Sequence, residues 1–303
     1  MAQTMDALSI KSAHWSKEMT IPGTSWKIKG YSRSAYRTGF YIPELDIMLD
    51  AGPQNFNKPA HIFITHTHID HIACLPLTMI GPLSGTASGL GDETGNHIFN
   101  IYSHPAAESY IHNYIKAMFE ANAMVAVDVS PWYRFTGLTK ADSIRLTTKK
   151  TDLQIKIFEC DHKLPTISYG FSEIKPKLKD EYKGVSGKDI VALKKGGTII
   201  TEDIEYKRLA YVCDTSIFVL TNHPEILDYK VVMIECTFIL PDELPNAVAT
   251  QHIHWSQLKP YVESHPDITF ILFHFSMRYR DTEINTFFQK ENIPNLQWWT
   301  QEC

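Results

Sequence analysis

The sequence has little with which to build a disulfide framework. Its five cysteines, Cys74, Cys160, Cys213, Cys236 and Cys303, lie far apart and form no CxxC pair. An odd, scattered set of this kind fits a reducing compartment better than an oxidising one. No run approaches the roughly 20 apolar residues that span a bilayer, and residues 1–15 lack the apolar stretch of a secretory leader. The expectation is a soluble, intracellular protein, cytoplasmic by default, with no membrane partner. A basic excess is missing too: the net charge is -5 and the pI about 6.3. That balance argues against a broad face gripping nucleic acid, though a local basic patch is still compatible with it. No short-period repeat and no low-complexity tract stands out. With 44% hydrophobic and 21% charged residues, the composition is that of a globular chain, not a disordered one.

The first third is rich in short β-type runs. Residues 25–28, 39–42, 46–49 and 61–65 read as strands, punctuated by Gly30, Pro43, Gly52, Pro53 and Pro59. Ile62-Phe63-Ile64 is continuously apolar, as a strand buried on both faces should be. Across 106–123, Tyr110, Ile111, Tyr114, Ile115, Met118 and Phe119 recur three and four apart and predict a helix. Strands are expected again at 143–147, 153–159 and 166–171. Residues 172–208 are charged, carry Gly184, Gly187, Gly196 and Gly197, and read as an excursion from the core. The last third alternates strands at 209–213, 231–235 and 269–273 with helices at 256–264 and 281–289. Residues 81–95, rich in Gly, Ser and Thr, read as a loop. A β-rich half followed by a β/α half implies two sheets covered by helices, a layered α/β architecture. The whole chain, 1–303, is expected to form one domain with a short charged excursion.

The chemistry is concentrated in His66-Thr67-His68-Ile69-Asp70-His71, directly after the expected buried strand 61–65. Residues at such a strand end point into the crevice where α/β proteins bind ligands. Three imidazoles and a carboxylate so close together are too costly to bury unpaired. Nitrogen and oxygen donors at this density suit zinc, with manganese or iron as alternatives. His66 and His68 can reach one ion, and Asp70 and His71, past the turn, a second. Two ions about 3.5–4 Å apart can hold a hydroxide between them and stabilise an in-line displacement at phosphorus. Two complete sites need more ligands. Candidates sit at three later strand ends: His162 after Cys160-Asp161, Asp214 after Tyr-Val-Cys, and His274 before Phe-Ser.

The run His66 to His71 resembles the HxHxDH signature of metallo-β-lactamase-fold hydrolases. The resemblance implies an αββα sandwich, two sheets flanked by helices. It also implies an ordered ligand set in which His162 completes the first metal, Asp214 bridges, and His274 completes the second. Three further segments are similar to those of tRNase Z, the endonuclease of that fold that trims the 3′ trailer from precursor tRNA. His274-Phe275-Ser276-Met277-Arg278-Tyr279 resembles its H-[FI]-S-x-R-Y. Glu235-Cys236-Thr237-Phe238 resembles its HEATF, with Ile234 in place of the first histidine. His252-Ile253-His254 resembles its G-H-[ST], with the histidine falling on His252 ahead of His254 and Gln251 replacing the glycine. Residues 188–196 are similar to the segment before the bridging aspartate.

What this implies is a metal-dependent phosphodiesterase acting on RNA, a precursor tRNA above all. Asp70 would take the proton of the nucleophile while touching a metal. His252, held by Glu235, would protonate the leaving 3′ oxygen. Relatives tend to form homodimers, in which one subunit's arm serves the other's site. In tRNase Z that arm lies between the third and fourth ligand motifs, an interval that here is the short, charged segment 172–208. Its lysines are either phosphate contacts or parts of a solvated hairpin partly neutralised by Asp180, Glu181, Asp189, Glu202, Asp203 and Glu205. Two other readings remain open. One is a hydrolase of the same fold acting on a small substrate, such as a cyclic nucleotide, another phosphodiester or a lactone. The other is a catalytically silent relative that binds RNA or a partner, and the complete ligand set weighs against it.

Overall fold

The computed structural model describes residues 13–80, 98–148 and 150–301. The expected 81–95 loop, residues 1–12 and Cys303 lie outside those residues. Two sheets form the frame. The first runs in chain order: β1 (Glu18–Thr20), β2 (Lys27–Arg33), β3 (Arg37–Ile42), β4 (Ile47–Leu49), β5 (His61–Phe63), β6 (Phe99–Ser103) and β7 (Tyr133–Gly137). The second also follows chain order: β8 (Ser143–Thr147), β9 (Asp152–Cys160), β10 (Thr166–Leu178), β11 (Thr201–Val212), β12 (Val231–Glu235), β13 (Thr269–Phe273) and β14 (Leu296–Trp298). In both sheets the early strands pair antiparallel, and those from β4 and from β11 onward pair parallel.

Period-two burial fixes which side chains face which layer. Leu209, Tyr211, Val231, Met233, Ile271 and Phe273 enter the core between the sheets. Their neighbours Ala210, Val212, Val232, Ile234, Phe270 and Leu272 face the outer helices Trp255–Ser264 and Asp281–Glu291. These strands are buried on both faces, which is why they read as unbroken apolar runs rather than alternating ones. On the far side, Ile111, Ile115 and Phe119 of the helix Glu108–Ala123 pack over Ile62, Ile64 and Ile101. The layers are therefore helix, sheet, sheet, helix.

Two expectations need correction. Gly30 does not separate strands; it lies inside β2. A Cβ there would sit 2.3 Å from the Gly39 carbonyl and 2.5 Å from the Phe40 ring, so glycine marks a close approach of β2 and β3. The charged segment does not leave the core at 172 either. Ser172 and Glu173 are buried and still pair with Gln154 and Leu153 of β9, through Ile174. The β10–β11 register slips at Phe171/Ser172, and the pair continues as a two-stranded hairpin tipped by the exposed helix Gly187–Lys195. Such a bulge bends the ribbon where it departs from the sandwich. Strands β1, β6, β7 and β14 had no counterpart in the sequence reading.

The inter-sheet aromatics give a direct test of the frame. Phe40 is fully buried and meets Tyr211, Phe273 and Trp299 edge-on at ring separations of 6.0, 5.4 and 5.0 Å. Phe40→Ala is expected to cost about 3–5 kcal/mol in urea unfolding. Val191→Ala on the exposed arm helix is expected to stay within about 0.5 kcal/mol. Equal effects would contradict the assignment of the core.

Candidate metal centre

The candidate ligands gather where strands end. β5 leads into Ile64, Thr65 and the run His66 to His71; β9 into His162; β11 into Asp214; β13 into His274. Three strand exits turn through a left-handed residue that is not glycine: Asp50 after β4 (φ 55°), Asp214 (φ 21°) and His274 (φ 65°). This conformation is unfavourable for a residue with a Cβ, and it persists only where the surroundings impose it. Here it swings a polar side chain out of an apolar strand and into the gap between the sheets. Gly52 helps bring the first sheet close, since a Cβ there would lie 2.1 Å from the Asp70 carbonyl.

The side chains form two groups sharing Asp214. His66, His68 and His162 surround it on one side: Nε2 of His66 is 2.9 Å and Nε2 of His162 3.3 Å from Nδ1 of His68. Asp70, His71 and His274 form the other, with Asp70 Oδ2 at 3.4 Å from His71 Nε2 and 3.5 Å from His274 Nε2. Asp214 lies 3.4, 3.5 and 3.3 Å from Nε2 of His66, His71 and His274, and 3.9 Å from that of His162. Donors at zinc–nitrogen distances of about 2.0–2.1 Å in a tetrahedron stand about 3.4 Å apart, so most of these spacings already suit a divalent cation. The structure thus brings together all seven ligand candidates from the sequence.

Four of the five histidines have their outer nitrogen committed. His71 Nδ1 donates to Asp50 Oδ2 (3.1 Å), and His162 Nδ1 to the Gln251 carbonyl (3.2 Å). The Thr65 hydroxyl donates to Asp50 at 3.0 Å and therefore accepts from His66 Nδ1 at 3.0 Å. By the same logic the Thr237 hydroxyl donates to Glu235 Oε2 at 2.7 Å and accepts from His274 Nδ1 at 3.1 Å. In neutral rings this leaves four Nε2 lone pairs pointing inward, two of them, on His71 and His274, buried with no hydrogen-bond partner. Inward lone pairs facing Asp70 and Asp214 are repulsive unless a cation lies among them, so the donor set fits a divalent metal.

Electrostatics agree. Burial alone would raise Asp214, yet His274, His71 and His66 hold it well below the usual carboxylate range. Asp70 is likewise raised by burial but depressed overall by His274 and His71. Burial, followed by the neighbouring His71, lowers His66 to about 4, and burial also lowers His68 and His162. Burial lowers His71 too, but Asp214, Cys213 and Asp50 outweigh it and raise the group well above its ordinary value.

Beside this cluster stands a second pair. His252 Nδ1 bonds Glu235 Oε1 at 2.8 Å, and Glu235, fully buried at the end of β12, also accepts from the Thr215 and Thr237 amides. Burial opposes the charge on His252, but Glu235 outweighs it and pushes the imidazole up to about 9. His254 is not part of the pair: it caps the helix Trp255–Ser264, accepting from the Ser256 amide at 3.1 Å. Ile234, at the place of a family histidine, faces the outer apolar core. Asp50, Thr65, Thr237 and Gln251 went unread in the sequence as ligand supports. Asp50 could have been found, because it ends an apolar strand in the same way as Asp214.

No family model matches the chain. It is similar to tRNase Z TRZ1 of Arabidopsis thaliana, with 28% identity over 280 residues, 88% of this chain and 91% of that protein. It is 27% identical to the chloroplastic tRNase Z TRZ2 of the same plant, over 86% of this chain and 70% of that one. Among solved structures, the metallo-β-lactamase fold protein YhfI of Bacillus subtilis superposes with a TM-score of 0.54 at 12% identity, covering 89% of this chain and 94% of that one. The chain has the metallo-β-lactamase fold and resembles tRNase Z, and no helix among its described residues is long and apolar enough to cross a membrane.

Two outcomes test the centre. Asp50→Ala strands the His71 imidazole, the Thr65 hydroxyl and the Tyr211 hydroxyl (2.9 Å) without their acceptor. It is expected to cost about 3–5 kcal/mol in chemical unfolding with chelator present; a loss below about 1 kcal/mol would contradict its bracing role. After chelation, zinc at a hundredfold excess over its Kd is expected to restore about 2.7 kcal/mol to the native chain and nothing to Asp214→Ala.

Proposed function

We propose that this protein is a metal-dependent endoribonuclease of the tRNase Z type that removes the 3′ trailer from precursor tRNA. The observation that carries the reading is the pairing of a divalent-cation donor set with the buried Glu235–His252 dyad beside it, on a chain similar to tRNase Z along most of its length. A silent binding protein has no need of inward lone pairs and a charged imidazole in one crevice.

In this reading His66, His68 and His162 would hold one ion, Asp70, His71 and His274 would hold a second, and Asp214 would serve both, with zinc as the metal. When bound, the ions would neutralise charge on the phosphoryl oxygens and acidify the attacking water. Asp70, its Oδ2 steadied by the Ala35 amide at 2.9 Å, would accept the proton of the attacking water. His252 supplies the other proton. Its Nδ1 is tied to Glu235, so Nε2 is the nitrogen left to protonate the leaving 3′ oxygen, and the Glu235 charge favours the cationic ring. Thr237 couples the two functions, bonding Glu235 and, through its lone pair, the His274 ring.

The arm would supply recognition. Lys175, Lys183 and Lys207 are paired with Glu173, Asp180 and Asp228, whereas Lys177, Lys179, Lys188, Lys194 and Lys195 make no ion pair among the described residues. Those ammonium groups suit RNA phosphates. Use of one subunit's arm by the site of a second, in a homodimer of one-domain chains, belongs to the same proposal.

The test is cleavage of a 3′-extended precursor tRNA beside hydrolysis of bis(p-nitrophenyl) phosphate, with chelator and Asp70→Ala as controls. Metal-dependent cleavage next to the discriminator base is expected. His252→Ala should lower kcat about 10²–10⁴-fold while retaining metal. Diester hydrolysis with intact precursor tRNA would favour the small-substrate reading instead.

A further inference from the structure

Three segments carrying site residues meet beside His162, and one carboxylate joins them. Asp161 Oδ1 accepts from Gln251 Nε2 at 2.8 Å, and its Oδ2 accepts from the Ser216 hydroxyl at 2.6 Å. Its backbone is engaged as well: the Asp161 amide donates to Thr215 Oγ1 at 3.1 Å, and its carbonyl accepts from the Ser216 amide at 3.0 Å. Asp161 therefore fastens the loop bearing His162 to the turn after Asp214 and to the turn before His252.

Gln251 lies at the far end of this latch. Its backbone is left-handed, φ 56°, at the C-terminus of the short helix Leu244–Thr250. A side chain with a Cβ is disfavoured there, so something must hold it. Its amide does so by reaching Asp161, while its carbonyl accepts the His162 Nδ1 proton at 3.2 Å. That carbonyl sets the tautomer and ring angle of His162, whose side chain is 1% exposed. The next residue along the chain is His252, whose ring lies 5.1 Å from that of His162.

We propose that the Asp161–Gln251–Ser216 latch positions His162 for metal binding and His252 for proton transfer, with Asp161 and Gln251 acting as positioning residues that touch neither metal nor substrate. The inference rests on the metal site proposed above. Both carboxylate oxygens and one amide are used in holding loops rather than in solvent, so the latch transmits loop placement to the two histidines. Thr215, next along, donates its amide to Glu235 at 3.0 Å, so the same turn also aligns the dyad's carboxylate.

Three variants test it: Gln251→Gly, which suits the left-handed backbone but loses the amide; Asp161→Ala, which removes both acceptors; and Asp161→Asn, which keeps an acceptor for Gln251 and a donor for Ser216. Zinc affinity is read by competition with a chromogenic chelator, alongside kcat and KM for bis(p-nitrophenyl) phosphate and the urea midpoint. Gln251→Gly and Asp161→Ala are expected to weaken zinc binding about tenfold or more. They should also lower kcat about tenfold with KM nearly constant, and Asp161→Asn should recover most of both. Zinc affinities within about twofold of wild type in Gln251→Gly and Asp161→Ala, in chains that unfold as the wild type does, overturn the latch alone. A wild-type chain that binds no zinc overturns the metal site and the latch with it.

Discussion

Everything in the centre depends on one buried carboxylate. Asp214 is 2% exposed and lies within 3.3–3.9 Å of imidazole nitrogens from four histidines. Those histidines come from three segments far apart in sequence. A charge so placed is expensive to desolvate, and removing its partners would leave it stranded. The surrounding lone pairs make the converse true as well: without a cation, neutral rings face a carboxylate they cannot donate to. The cluster is consistent only as a whole, with Asp214 as the shared negative charge between two sets of donors. The outer nitrogens of His66, His71, His162 and His274 are fixed by Thr65, Asp50, Gln251 and Thr237, so the protein itself sets the ring orientations.

The fold supplies the convergence through strand ends. In the parallel halves of both sheets, the C-terminal ends of neighbouring strands lie on one edge, so residues just past β4, β5, β11, β12 and β13 become neighbours without any long-range loop. Left-handed exits at Asp50, Asp214 and His274 concentrate backbone strain there, and the continuously buried strands behind them provide the rigidity that sustains it. Arg33 bonds Asp281 and the Tyr279 carbonyl, and Ser34 pairs with the segment after β13, so the first sheet's β2–β3 turn is clamped onto the loop that carries His274. The Ala35 amide that steadies Asp70 belongs to that same turn.

Much of this was legible in the sequence, for a physical reason. A metal site needs many donors in a small volume, and that demand shows as dense His/Asp runs and as polar residues closing apolar strands. The seven ligand candidates, His252 and Glu235 follow such patterns. Asp50 obeys the same rule but stands alone, without a nearby histidine to draw attention to it. Gln251 acts through its carbonyl and its side-chain amide, and Thr237 through a hydroxyl that donates to Glu235 and accepts from His274, roles that only geometry reveals. The missed strands are short or at sheet edges: β1 and β14 have three residues each, and β7 is largely exposed. In β6, Phe99 and Ile101 face the outer core while Tyr102 faces the inner one, so its signal is that of a doubly buried strand too short to separate from a loop. Gly30 misled because a glycine forced by close strand packing looks, in sequence, like one forced by a turn.

The strands that make the centre also tie it to the arm. β11 begins at Thr201 in the hairpin and ends at Val212, two residues before Asp214. Its partner β10 begins at Thr166, just past the loop of His162, and runs out to Leu178. Twelve residues of extended chain at about 3.4 Å each span roughly 40 Å, somewhat less where the bulge bends the ribbon. A group held at the arm's base or tip is therefore held at a distance from the His/Asp cluster set by covalent strand geometry, not by a flexible linker. The bulge at Phe171/Ser172 fixes the angle of departure, and Glu173, bonded to both Arg208 and Lys175, braces the point where the hairpin loses its third strand. Distance and angle are what a nuclease needs in order to choose one phosphodiester among many chemically identical ones. Under the nuclease reading proposed above, base-independent contacts to the backbone would register the substrate, and the centre would cut wherever the ruler ends. The chain's acidic overall charge fits that reading: a few lysines without an ion pair on the arm would confer registration without the broad basic face that would hold every nucleic acid alike.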